Sequence, residues 1–481
     1  MSTLSIMTLH GQEAPISPEV LLELTSKVGG KIMQKGDPGY DDARRIWNGM
    51  VDRSPALIVR CAGSADVVQA IAFARQHQLL LAVRSGGHNI AGNAVCEGGL
   101  MIDLSGMMGV RVDPVAKKAW VEPGATLADL DRETQAFGLA VPTGINSTTG
   151  IAGLTLGGGF GWITRKFGLT IDSLVSADVI TAEGKLVRAS AEENEDLFWA
   201  IRGGGGNFGI VTGFEFNLHP VGPEVLSGLV VHPFEDAAKL LKQYRAAVDN
   251  APEELTCWAV MRRAPPLPFL PTDWHGREVL ILAMCYLGDP AEGARVTQEL
   301  RSLGKPIADV VGPHRFVDWQ GAFDPLLSPG ARNYWKSHDL DGLPDGAIEA
   351  IVDAVHTLPS DEAEVFIAHV GGAMSHVAPD ATAFPQRRSH FVMNVHARWR
   401  DRKDDSHCTA WARHLFGATE PFATGSAYVN FMPDDETERV EKIYGLNYRR
   451  LAEIKGQYDP DNVFRLNQNI RPVPHHTGHL A

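Results

Sequence analysis

From residue 56 the chain sets short apolar runs between turn-forming residues. Residues 56–61 (ALIVRC) read as a buried strand, and Ser64 opens a helix that places Val67, Val68 and Ile71 on one side. Residues 79–83 then read as a second strand. This small βαβ unit runs directly into the loop RSGGHN, and a strand around residues 100–104 and a hairpin across residues 113–118 follow it. The mixture predicts an α+β first domain and not a repeating α/β barrel. After Phe216 the texture changes. Amphipathic helices such as residues 235–248 alternate with strands such as 278–285 and 391–399, which places a domain boundary near Phe216. Towards the end, one long helix with Val440, Ile443, Leu451 and Ile454 on a single face is expected before the turn YDPDN and the polar stretch FRLNQN. No internal repeat is evident.

Two further glycine-dense stretches join RSGGHN: residues 144–161 (GINSTTGIAGLTLGGGFG) and 203–209 (GGGGNFG). Glycine lets backbone N–H groups approach phosphates closely and tolerates positive φ, so three such loops suit a dinucleotide. Gly204, Gly206 and Gly209 satisfy GxGxxG literally, but they follow a helical stretch (DLFWAIRG) and precede a strand (IVTGFEF). A Rossmann fingerprint needs the reverse order, so NAD is disfavoured.

Composition narrows the classes. With 44 Lys+Arg against 58 Asp+Glu the formal charge is -14, which repels polyanions and argues against nucleic acid as a partner. Neither a signal peptide nor a membrane-spanning stretch is recognised, so no membrane association and a cytoplasmic location are expected. The five cysteines (Cys61, Cys96, Cys257, Cys285 and Cys408) show no CxxC spacing, so buried thiols are expected and no metal site is suggested.

Five segments together resemble a known family: RSGGHN at 84–89, TGINSTTGIAGLTLGGGFGWITRKFGLTIDSL at 143–174, IRGGGGNFGIVT at 201–212, YVN at 428–430 and YDPDNVFRLNQNI at 458–470. They are similar to the FAD-linked oxidases of the berberine-bridge-enzyme-like branch of the vanillyl-alcohol-oxidase flavoproteins, a group that includes bacterial hydroxynicotine oxidase and glyco-oligosaccharide oxidases. The resemblance implies an FAD-binding domain built from residues 1–216 and 426–481. Residues 217–425 would form a substrate domain whose antiparallel sheet, backed by helices, covers the flavin ring. The implied FAD contacts are Arg84, Ser85, Gly86, Gly87, His88 and Asn89 in the first loop. The second loop contributes Gly144, Thr148, Thr149, Gly150, Gly153, Leu154, Gly158, Gly159 and Gly161, and the third Asn207, Gly209, Ile210 and Val211. The carboxy-terminal part contributes Tyr428, Asn430, Asn467 and Asn469.

By the same resemblance His88 bonds covalently to the flavin. Relatives with a second, cysteinyl link carry it at the position of Asn146, whose amide supplies no thiolate, so a single histidyl link is expected. Thr149 occupies the position that governs access of dioxygen, and its size leans towards an oxidase acting on a small organic molecule and O2. A dehydrogenase with another acceptor stays open, as does a flavin-binding protein without catalysis. The catalytic base is open as well, because the plant-type YxNY pattern becomes Tyr428-Val429-Asn430-Phe431 and Phe431 does not ionise. Candidates are His396 and Asn394, which share one face of a strand by the period-two rule, His369 on the neighbouring strand, and Tyr428. Trp258, Tyr334 and Trp335 are candidates for an aromatic pocket.

Overall fold

The computed structural model describes residues 3–473 of the chain. Three sheets organise it. In a four-stranded sheet the order is Lys31–Met33, Leu57–Arg60, Leu100–Asp103, Leu81–Arg84, and the last three strands run parallel. The strand Leu100–Asp103 therefore inserts between the two strands of the expected βαβ unit, whose helix is Ser64–Gln76. Parallel strands need a covered face. Leu57, Val59, Leu81, Leu100 and Ile102 accordingly form one core with Val67, Ala70 and Ile71 of that helix. The hairpin expected across residues 113–118 is present as Val110–Asp113 and Lys118–Val121, at the edge of a five-stranded antiparallel sheet.

The third sheet is antiparallel and eight-stranded. Its main path runs Ala308–Asp309, Glu224–Pro233, Glu278–Tyr286, Leu255–Arg263, Glu364–His369, Phe391–Trp399, Arg332–Leu340, and Gly312–Arg315 also pairs with Glu224–Pro233. Alternation decides its two faces. Phe391, Met393 and Val395 pack with Leu240, Ile348, Ile351 and Leu415 from the helices Ala237–Asp249, Asp345–Val355 and Asp405–Thr419. The intervening residues face the other way, towards the glycine loops.

The single long helix expected near the carboxy terminus is interrupted. It consists of Val440–Tyr444 and Tyr448–Tyr458, separated by the 3-10 turn Gly445–Asn447. Gly445 takes φ 52°, which leaves the helical region. The bend keeps Val440, Ile443, Leu451 and Ile454 in one core together with Phe214 and Phe216 of the five-stranded sheet. The terminal segment is thus folded back onto the first half of the chain. Among the described residues no helix is long and apolar enough to cross a membrane.

Candidate active site

One large cavity lies between the glycine loops and the bare face of the eight-stranded sheet. Its loop side is built around a backbone crossing. A Cβ on Gly86 would sit 2.3 Å from Gly150 N, and one on Gly150 2.4 Å from Gly86 N, so only glycine permits the contact. This crossing sets Ser85 to Asn89 beside Thr149, Gly150, Gly153 and Leu154 along the cavity. Gly153 and Gly206 meet nothing within 4 Å of where a Cβ would be, so bare backbone lines a cradle there.

His88 lies in this lining. Thr148 Oγ1 is 3.0 Å from its Nε2 and Thr149 Oγ1 is 3.4 Å from its Nδ1, while the Trp47 indole stacks on the ring at 5.2 Å and 22°. Burial lowers the imidazole to about 3, which keeps it neutral and nucleophilic at physiological pH. Asn146 lines the cavity too, and the five cysteines are all free, buried and outside its lining.

The tail closes the cavity with Phe464, Leu466, Asn467 and Gln468. It is held by Lys455, fully buried, which donates to Asp459 Oδ2, to Asn207 O at 2.6 Å and to Phe464 O at 3.0 Å. Asp459 in turn accepts the Val463 and Phe464 N–H groups. Asn207 is consumed by the same job, donating to Gly204 O and Gln468 O and accepting from Ile470 N. It fixes the tail instead of lining the cavity. Asn467 does line it, with Oδ1 unpartnered, whereas Asn469 stands outside. Gly144, Gly209, Ile210 and Val211 complete the loop side. Arg84 turns away and donates to Ala43 O. Gly158, Gly159 and Gly161 lie behind the lining, packed near Phe384, Thr170 and Thr143.

On the sheet side, register sorts the candidates. Glu364 pairs with His396 and Phe366 with Asn394, so these four share the cavity face with Trp335, Val260 and Arg262. His369 falls on the opposite parity. Its ring sits 5.6 Å from Phe391 on the helix side and its Nε2 meets Arg165 Nη1 at 2.9 Å, so the structure separates it from the cavity. Tyr334 is likewise turned over, donating to Asp435. Trp258 and Trp335 both line the cavity.

His396 is embedded in a charged chain that the sequence did not reveal. Arg262 Nη1 donates to Glu364 Oε2 at 2.7 Å, Glu364 Oε1 lies 3.2 Å from His396 Nδ1, and His396 Nε2 lies 3.1 Å from Asn333 Oδ1. Arg398 donates to the same Asn333 oxygen. Burial opposes ionisation of Glu364, but the Arg262 guanidinium and His396 hold its carboxyl down at about 2. Burial also lowers His396, against the pull of Glu364. Both ring nitrogens are committed to the sheet and neither is offered to the cavity.

Tyr428 presents the opposite case. Its oxygen accepts from Gly159 N at 3.0 Å and from Asn430 Nδ2 at 2.8 Å, and among the described residues its own O–H has no acceptor. Burial raises the phenol to about 12 in spite of these two donors. Asn430 also donates to Leu154 O, which ties the YVN segment to the second glycine loop. Phe431 fills the space beside Trp335, Phe366 and Phe160 with edge-on ring contacts.

Glycine loops covered by an antiparallel sheet are the architecture of FAD-dependent oxidoreductases of vanillyl-alcohol-oxidase type, and the comparisons with known proteins place the chain in that class. A family model described as FAD binding domain matches residues 55–190, and one described as berberine and berberine like matches residues 427–471. An FAD-linked oxidoreductase of Dictyostelium discoideum is 32% identical over 461 residues, covering 95% of this chain and 97% of that protein. (R)-6-hydroxynicotine oxidase of Paenarthrobacter nicotinovorans is 30% identical over 458 residues, covering 92% and 97%. Among solved structures, 6-hydroxy-D-nicotine oxidase of Arthrobacter nicotinovorans superposes with TM-score 0.84 at 28% identity, covering 93% of this chain and 98% of that one. A berberine-bridge-enzyme-like protein of Physcomitrella patens gives TM-score 0.84 at 27% identity, covering 95% and 100%. The chain belongs to the berberine-bridge-enzyme-like family of FAD-linked oxidoreductases.

Proposed function

We propose that the protein is an oxidase that carries FAD on a single covalent link to His88, takes a hydride from a small organic molecule and passes the electrons to O2. The observation that carries the link is the neutral His88 ring, held by Trp47 and the two threonine hydroxyls in a cradle of bare glycine backbone. Bound FAD supplies the two-electron acceptor. The chain's own part is to hold the substrate against it, exclude water and manage one proton. With no cysteine in the lining, a second attachment has no nucleophile. Small Thr149 and the oxidase relatives support O2 as the acceptor. Residues 1–216 with 426–481 serve as the FAD-binding unit, and residues 217–425 supply the substrate face. Five reduced, buried thiols fit a cytoplasmic setting.

For the proton, the geometry favours Tyr428 over His396. The phenolic oxygen collects two donors that stabilise its anion, whereas both nitrogens of His396 are engaged. Once ionised to the phenolate, Tyr428 would accept the proton of the substrate's hydroxyl or amine as hydride leaves the adjacent carbon. Acid denaturation, digestion and mass spectrometry test the central claim. Flavin should remain on the peptide containing His88 and should dissociate from the His88→Ala variant. A flavin-free His88 peptide from holoprotein refutes the covalent reading. Slow reoxidation in air after rapid anaerobic reduction would replace O2 by another acceptor.

A further inference from the structure

Asn394 has no exposed surface, and among the described residues neither its Oδ1 nor its Nδ2 has a partner. A buried amide left unpaired costs about 1–3 kcal/mol, so such a group in a cavity wall calls for a ligand that completes it. Around it the lining is aromatic. Trp258 and Phe366 lie parallel at 9° with centroids 5.8 Å apart, and Trp335 and Phe431 meet edge to face at 5.3 Å. The Nε1 donors of Trp258 and Trp335 also lack acceptors. The charged groups of this wall satisfy one another, because Arg262 is paired with Glu364 and Glu364 with His396.

The unpaired groups include two indole N–H donors and the Asn394 amide N–H, against two amide acceptors, Asn394 Oδ1 and Asn467 Oδ1. A sugar brings a donor on every hydroxyl and would leave most of them unpaired against indole and phenyl walls, at the cost of desolvating each one. An ion would find no free counter-charge. Building on the flavin reading of this cavity, we propose that its substrate is a flat, uncharged aromatic molecule carrying carbonyl or phenolic oxygens. Its ring lies among Trp258, Phe366 and Trp335, and one oxygen group is held by the Asn394 amide.

The test uses holoprotein and 2,4-dihydroxyacetophenone as probe, with toluene as the ring without oxygens and xylobiose as the sugar. Binding is read by flavin absorbance and, independently of the flavin, by tryptophan fluorescence. The oxygenated ring should bind and xylobiose should not. Asn394→Leu, which removes the unpaired amide without opening a cavity, should weaken the oxygenated ring about 5–10-fold, the loss of roughly one hydrogen bond, and leave toluene unchanged. Equal affinity of wild type and Asn394→Leu for the oxygenated ring, or preferential binding of xylobiose, overturns the proposal. Failure of the covalent flavin reading shows separately, in the His88 peptide, and leaves the fluorescence titration valid.

Discussion

Asp131 offers a test of how the second glycine loop is supported. It lies on the helix Leu127–Gln135 with 1% exposure, its Oδ2 accepts from Gln320 Nε2 at 3.2 Å, and its Oδ1 has no partner. The same Gln320 nitrogen donates to Thr143 Oγ1 at 3.0 Å and reaches Gly144 O at 3.5 Å, where the cavity loop begins. Burial pushes the carboxyl from its ordinary 3.8 up to about 7. The folded protein therefore keeps a proton that the unfolded chain releases. The associated stability is fully present below the unfolded value and is lost as pH rises through the folded one. At 1.36 kcal/mol per unit the whole effect is about 4 kcal/mol, of which about 3 kcal/mol falls between pH 5 and pH 8. Asp131→Asn keeps the shape and removes the titration. Urea unfolding of both holoproteins at pH 5 and pH 8 should show the variant gaining about 3 kcal/mol on the wild type over that interval. Asp339, raised to about 7 by its own burial, adds the same trend to both proteins and cancels in the difference. A wild-type-to-variant difference equal at the two pH values within about 0.5 kcal/mol would refute the assignment.

Three other outcomes are expected. Lys455→Met strands the Asp459 carboxylate, which has no exposed surface, and orphans two carbonyls, so thermal melting should report a loss of about 3–5 kcal/mol, with lower flavin retention after gel filtration as the tail loosens. Gly86→Ala drives a methyl into the backbone of Gly150, and the purified variant should carry little or no flavin by absorbance at unchanged far-UV circular dichroism. If Tyr428 takes the substrate proton, kcat/KM with a working substrate should go on rising from pH 7 to pH 10, on the way to the phenol's value of about 12. A plateau above pH 7 would instead assign the step to an imidazole.

Much of the fold was legible because local pattern and tertiary demand agree. The helix opened by Ser64, the strands flanking it and the strand Phe391–Trp399 follow from apolar periodicity alone. The insertion of Leu100–Asp103 between the two strands of the βαβ unit was not legible, since sheet order depends on partners distant in sequence. The broken carboxy-terminal helix was missed for another reason. Four apolar residues on one face satisfy a straight helix as well as a bent one, and the only local mark of the break is Gly445.

The two sides of the site differ in the same way. Glycine announces its own role, because a backbone crossing such as that of Gly86 and Gly150 admits no other residue, and so the cofactor loops can be read one residue at a time. The substrate face depends on register. His396 and Asn394 are two apart on one strand and share a face by alternation, but the parity of His369 could be fixed only through its pairing with Phe391, which turns it to the helices. That pairing also brings Glu364 opposite His396. The charge beside the imidazole, not the imidazole itself, then decides its chemistry: a ring held between a carboxylate and an amide serves the sheet. Proton transfer passes on this reading to the phenol of Tyr428, and recognition to Asn394, the uncharged residue of the pair that the strand pattern had already placed on this face.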